Sequence, residues 1–185
     1  EVMVSTDDEE IAEVAMKYGA VVPFIRSKEN ANDYAGTAAV LVEVLNEYRK
    51  RSREFSSVCC IYPTAPLLSI EALRGGFNKL VGDGHTSVFP IVEFSFPIWR
   101  GLAIDEEDKT QMVWPENLNM RSQDLKKVYH DAGQWYWLDA NRFLSDPKLY
   151  TDNSSYILCD EMEVQDIDNL ADWKLAELKY VLKQK

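Results

Sequence analysis

Apolar residues recur along this chain in two rhythms, and the switches between them mark its elements. Val2 to Val4 is a short apolar run that reads as a strand. Ser5-Thr6-Asp7-Asp8 then forms a capping cluster before Ile11, Val14, Ala15 and Tyr18, which recur at helical spacing until Gly19 stops them. Val21 to Ile25 resumes strand character. Gly36 to Tyr48 carries Ala38, Leu41, Val42, Leu45 and Tyr48 on one helical face. Ser57 to Tyr62 is a continuous apolar run, as expected of a strand covered on both faces, and Pro63-Thr64-Ala65-Pro66 ends it with two residues that lack a backbone N–H.

Ser69 caps a further helix with Ile70, Leu73, Phe77 and Leu80 facing inward, and Gly82-Asp83-Gly84 turns the chain into a strand from Ser87 to Phe94. From residue 95 to 130 the rhythm breaks. Trp99 to Ile104 and Gln111 to Trp114 flank the acidic turn Asp105 to Lys109, which predicts a hairpin and a polar loop inserted into a single domain spanning 1–185. Gln134 to Leu138 and Tyr156 to Cys159 are further strands. A last helix from Asn169 places Leu170, Trp173, Ala176 and Tyr180 on one stripe. Strands alternating with helices predict an α/β fold with a mostly parallel sheet covered on both faces, whose ligands sit beyond the carboxyl ends of the strands.

Composition narrows the function. The chain is 46% hydrophobic with nine Tyr, seven Phe and five Trp, a globular composition. Its formal charge of −11 argues against nucleic acid and anionic membranes as partners. No apolar run approaches the ~18 residues needed to cross a bilayer. Cys59, Cys60 and Cys159 form no C-x-x-C pair and leave an odd count, which fits a reducing cytoplasm.

Three polar motifs fall where such a sheet binds ligands. Asp166 and Asp168 are one residue apart, so an extended backbone turns both carboxylates to one side, where they can hold a magnesium ion; the alternative is an acidic lead-in to the last helix. The turn Tyr62-Pro63-Thr64-Ala65-Pro66 is either a stiff strand exit or a platform for a ring-shaped ligand, with Tyr62 and Thr64 offering hydroxyls. Ser5, Thr6 and Asp7 suit a helix cap, and Arg26 is either a surface residue or an anion clamp. His130 beside Asp131 has no nucleophile motif to accompany it, so a catalytic triad is not expected.

Taken in order, Val4-Ser5-Thr6-Asp7-Asp8, Arg26-Ser27, Tyr62-Pro63-Thr64-Ala65-Pro66-Leu67 and Asp166-Ile167-Asp168 before Leu170-Ala171-Asp172-Trp173 resemble the CMP-sialic acid synthetase family over nearly the whole chain. The Tyr62 turn, Gly133-Gln134-Trp135-Tyr136 and Val164-Gln165-Asp166-Ile167-Asp168 look most like its pseudaminate branch. The resemblance implies a three-layer Rossmann-like fold of the nucleotide-diphospho-sugar transferase type, with a β-hairpin insertion that builds a homodimer. It implies that a nine-carbon sugar acid attacks the α-phosphorus of CTP, giving a CMP-sugar and pyrophosphate. Asp166 and Asp168 would bind Mg2+ as the catalytic pair. Tyr62, Thr64, Gln123, Tyr129 and Gln134 would face the sugar, and Ser5 and Arg26 would lie nearer the nucleotide. Neuraminate, legionaminate or Kdo as the acceptor, or a non-catalytic binding fragment, are the competing readings.

In that family a strand and an Arg- and Lys-containing Gly-Ser loop precede the position of Glu1. A polypeptide opening at Glu1 is therefore expected to leave a sheet edge unpaired, to bind CTP weakly and to turn over little. Pyrophosphate release, measured on the chain with and without such an upstream segment, checks this: the lengthened chain is expected to be the faster.

Overall fold

The computed structural model describes residues 1–183. Its helices are α1 (Glu9–Lys17), α2 (Thr37–Lys50), α3 (Ile70–Asp83), α4 (Ala140–Ser145) and α5 (Leu170–Lys183). Its strands are β1 (Ser57–Ile61), β2 (Ser87–Glu93), β3 (Leu102–Ile104), β4 (Thr110–Met112), β5 (Tyr129–Asp131), β6 (Trp135–Asp139) and β7 (Ser154–Leu158). Among the described residues no helix is long and apolar enough to cross a membrane.

The main sheet has the order β1-β6-β2-β5, with β7 also on β2, and β3 and β4 form a separate two-stranded sheet. The expectation of a mostly parallel sheet does not hold. β2 pairs antiparallel with β5, Ile91 opposite Asp131, and with β6, Val88 opposite Trp137. A parallel return needs a crossover, usually a helix, and the chain between β2 and β6 offers only the hairpin and short 3-10 turns, so it comes back antiparallel. β7 follows a helix-bearing connection and advances alongside β2: Thr86 N donates to Asn153 O, and Cys159 N to Ile91 O.

The register along β2 shifts in its middle. Between the Val88–Trp137 and Ile91–Asp131 pairs, Phe89 and Pro90 of β2 face the longer stretch Ala132 to Tyr136. The cause is in the sequence. Pro90 has no N–H for the ladder, and a ladder broken at a proline accommodates a bulge.

Contacts group the chain into two compact units. The first comprises Glu1–Cys60, Phe77–Val88 and Tyr136–Ser155. There α2 buries Leu41, Val44, Leu45 and Tyr48, close to the predicted stripe. The Tyr48 ring meets Phe55 edge-on at 5.0 Å and its hydroxyl donates to Glu1 Oε1 at 2.6 Å. Burial, with the Glu1 carboxylate beside it, pushes that phenol up to about 12. Asp139 caps α4 by accepting from Asn141 N and Arg142 N.

Two predicted strands in this unit shrink to a single parallel bridge, Met3 to Val21. Pro23 interrupts the second of them and cannot donate to a ladder. The residues at helical spacing in α1 do not form its buried face: Ala12 is buried, whereas Ile11, Val14 and Tyr18 are exposed. Gly19 ends α1 with φ +89°, a left-handed conformation that favours glycine.

The second unit comprises Ile61–Gly76, Phe89–Trp135 and the chain from Tyr156 onward. Its core is Val92, Ala132, Cys159 and Val164, with Ala72 and Ile157 packed against them. The expected hairpin is present as β3–β4, Leu102 opposite Met112. Trp99 and Trp114 are half-buried. They meet edge-to-face at 5.3 Å, and the Trp99 indole N–H donates to Lys126 O at 2.8 Å.

Burial separates the positions that carry stability from those that do not. Leu138 on β6 is 1% exposed and Leu102 on β3 is 63% exposed. Leu138→Ala is expected to cost about 3 kcal/mol and Leu102→Ala within about 0.5 kcal/mol, read from urea unfolding midpoints.

Candidate active site

The acidic arm, Gln165 to Asp168, joins the 3-10 turn Glu161–Glu163 to α5. Gln165 and Ile167 are half-buried while Asp166 and Asp168 are exposed, the two-residue alternation of extended backbone. At the start of α5 the capping acceptors are other side chains. Asp172 Oδ2 accepts from the backbone N–H groups of Asp168 and Asn169, both at 3.1 Å, and Asn169 Oδ1 accepts from Ala171 N at 2.8 Å and Asp172 N at 3.2 Å. The orphan donors of the first turn are met by Asn169 and Asp172. Among the described residues neither the Asp166 nor the Asp168 carboxylate accepts a hydrogen bond.

The bulge opposite Pro90 meets this arm. Gly133 takes φ +64° and donates its N–H to Asp131 Oδ1 at 2.9 Å. The Asp166 carboxylate lies 3.6 Å from where a Cβ on Gly133 would stand, an ordinary contact, so the left-handed backbone rather than lack of space favours glycine there. Gln134 follows, 2% exposed; its amide donates to Glu163 O at 2.6 Å, and its carbonyl accepts from Tyr62 N at 2.9 Å. One buried residue thus ties the Tyr62 turn to the segment that leads into the aspartates.

The Tyr62 turn closes with Ala65 N donating to Tyr62 O at 3.2 Å, and it is seated by buried Ala65 and Leu67. Tyr62 and Thr64 remain half-buried at its surface. Gln123 and Tyr129 are exposed, Gln123 on the 3-10 turn Ser122–Asp124 and Tyr129 at the start of β5. Among the described residues no hydrogen bond joins either to the acidic arm. His130 is exposed, with Nδ1 2.8 Å from Asp131 O and its ring against Phe94.

The other unit holds Ser5 and Arg26. Arg26 Nε donates to Ser5 Oγ at 3.0 Å, the guanidinium also donates to the Ser5 carbonyl, and Arg26 N donates to Thr6 O at 2.8 Å. The two residues therefore hold each other. No sequence pattern marks Glu43 on α2, which fixes the next loop: its carboxylate accepts from Ser27 N at 2.7 Å, Ser27 Oγ at 3.0 Å and Asn30 Nδ2 at 2.5 Å. Burial opposes its charge, but the Asn30 and Ser27 bonds outweigh that and hold the carboxyl below its ordinary value.

As a ligand set, Asp166 and Asp168 are hard oxygen donors, and among the described residues no cluster of three or more His, Cys, Asp or Glu could hold a metal ion. A cation needing a complete protein cage is a poor fit. Magnesium fits, because it binds through one or two carboxylates and completes its shell with water and substrate phosphate.

Comparison with known proteins places the fold and the family. The fold matches that of a CMP:2-keto-3-deoxy-manno-octonic acid synthetase solved with CTP, at a TM-score of 0.61 and 13% identity, covering 100% of this chain and 81% of the other. It is an α/β nucleotidyltransferase fold. The family model described as "Cytidylyltransferase" matches residues 1–155. A pseudaminic acid cytidylyltransferase of Campylobacter jejuni subsp. jejuni serotype O:2 is 36% identical over 97% of this chain and 78% of its own length. A CMP-N,N'-diacetyllegionaminic acid synthase of Legionella pneumophila is 31% identical over 100% of the chain and 79% of its own length. The chain belongs to the cytidylyltransferase family, and it is an enzyme of that kind.

The Glu43 anchor carries a pH signature. Its folded value lies below the ordinary 4.5, so the anchorage is complete above pH 4.5 and is lost as pH falls through the lowered folded value. The Ser27 amide resonance, followed by NMR on acidification, is expected to move in that window and to stay put in Glu43→Gln.

Proposed function

We propose that this cytidylyltransferase activates pseudaminic acid: the sugar's anomeric hydroxyl attacks the α-phosphorus of CTP, the new oxygen–phosphorus bond forms as the bond to the departing pyrophosphate breaks, and CMP-pseudaminic acid is released. The observation that carries this reading is the pair Asp166 and Asp168. These carboxylates stand exposed and outside the cap of α5 in a chain whose strong relatives include pseudaminic acid cytidylyltransferases.

With a net charge of −11, the chain repels a nucleoside triphosphate unless something positive intervenes. A magnesium ion supplies that positive charge when bound. Asp166 and Asp168 are the residues that would hold it. Gln134 anchors the exit of β1 by accepting from Tyr62 N, which sets Tyr62 and Thr64 on a proline-stiffened turn where their hydroxyls can meet a polyhydroxylated sugar acid. Gln123 and Tyr129 remain candidates for the same ligand.

Homodimerisation is part of the proposal, through the insertion, where Phe96, Leu102, Ile104, Val113 and Leu118 are exposed in a short stretch of chain. A cytoplasmic setting is the other part, supported by Cys59, Cys60 and Cys159, which are all free.

Pyrophosphate release with CTP and a panel of sugar acids tests the substrate. Pseudaminic acid is expected to be used at least about tenfold faster than neuraminic, legionaminic or 2-keto-3-deoxy-octonic acid, and Asp166→Asn or Asp168→Asn to lower kcat/KM by about a hundredfold or more. A different preferred acid would replace the substrate; full activity in both variants would remove the mechanism.

A further inference from the structure

The acidic arm emerges from a turn whose carbonyls are unusually well held. Lys179 Nζ, on α5, donates to Glu161 O at 2.9 Å and to Val164 O at 2.6 Å. Gln134 Nε2 takes the carbonyl between them, Glu163 O, at 2.6 Å. Within the turn, Asp160 Oδ1 accepts from Met162 N at 2.8 Å and Asp160 O from Glu163 N at 2.9 Å. Lys183 adds an ion pair to the Glu163 carboxylate at 2.9 Å.

These bonds differ in kind. The Lys183 pair joins two side chains near the surface, where such pairs contribute little. The Lys179 bonds are charge-assisted and grip backbone, so they fix the path of the chain rather than the end of a flexible side chain. The Gln134 bond is made by a residue 2% exposed, where a lost partner is not replaced by water. The far end of the arm is fixed separately by the reciprocal Asn169 and Asp172 cap. Gln165 to Asp168 is therefore a short span anchored on both sides.

We infer that Lys179 and Gln134 are positioning residues that set the spacing of the Asp166 and Asp168 carboxylates for a divalent cation. The inference rests on the reading that these two aspartates bind the cation. A site with only two protein ligands gains little from ligand number, so its affinity depends on those ligands being held in place before the ion arrives. Lys179 does this at no cost in local charge opposition: its ammonium is committed to carbonyls at the start of the arm, and it makes no ion pair with either aspartate.

Mn2+, whose free form is counted directly by electron paramagnetic resonance, probes the site in the full chain with CTP present. Lys179→Met is expected to weaken Mn2+ binding by about tenfold, the usual scale for loss of a group that orients metal ligands. Lys179→Arg is expected to recover it to within about twofold, and Lys183→Gln, which keeps all three carbonyl bonds, to leave it unchanged. Amide exchange of residues 165–168 should quicken in Lys179→Met and not in Lys183→Gln. If Lys179→Met folds poorly, Lys179→Gln, which keeps one donor, takes its place with an expected loss of about threefold. Unchanged Mn2+ binding in a folded Lys179 variant, with Asp166→Asn weakened, overturns the inference alone. Unchanged binding in both Asp166→Asn and Asp168→Asn overturns the reading beneath it.

Discussion

A proline in the interior of a strand is the constraint from which the site follows. Pro90 is fully buried in β2, where a central strand would ordinarily need every N–H. It still accepts from Ala132 N, but it has nothing to donate, and the opposing chain bulges there. The bulge places Gly133 in a left-handed conformation against the Asp166 carboxylate and turns the Gln134 amide onto Glu163 O. A straight ladder would have spent those residues on ordinary cross-strand pairing. The gap in hydrogen bonding at one position is thus what lets Gly133 and Gln134, between β5 and β6, reach the acidic arm and the turn before it.

Around the arm the electrostatics are divided by atom type. Lys179 and Lys183 of α5 are spent on carbonyls and on Glu163, the helix cap is spent on backbone N–H groups, and the two carboxylates face solvent in an already acidic protein. On the proposed reading these two carboxylates are the ones that would meet a phosphate-bound metal ion.

Much of this was legible in the sequence, and the failures have identifiable causes. α2, α3 and α5 follow in extent from helical periodicity, and β1, β2, β6 and β7 from apolar runs, because each is long enough for its rhythm to be distinctive, but the inward face predicted for α3 does not hold at Ile70 and Phe77, which are exposed. β5 was not, since Tyr129-His130-Asp131 is short and polar and becomes a strand only by pairing with β2. α4 is a single capped helix of six residues with no stripe to read. The strand direction failed because the alternation rule assumes helical crossovers, and the β2-to-β6 connection has none. At the site, Asp166 and Asp168 stand out through their spacing, and the turn after β1 through its prolines. Glu43 and Lys179 did not, because their partners lie far along the chain and leave no local pattern, and Gln134 was legible only through the family resemblance, as a sugar-facing residue, not as the buried tie to Glu163 O.

The hairpin β3–β4 forms its own small sheet and shares no ladder with the strands that carry the site. Changes confined to it need not disturb the β2 register or the bulge, and effects of mutations without shared partners add rather than compound. Evolution can therefore remodel that appendage, in length or in surface chemistry, while the catalytic scaffold stays constant.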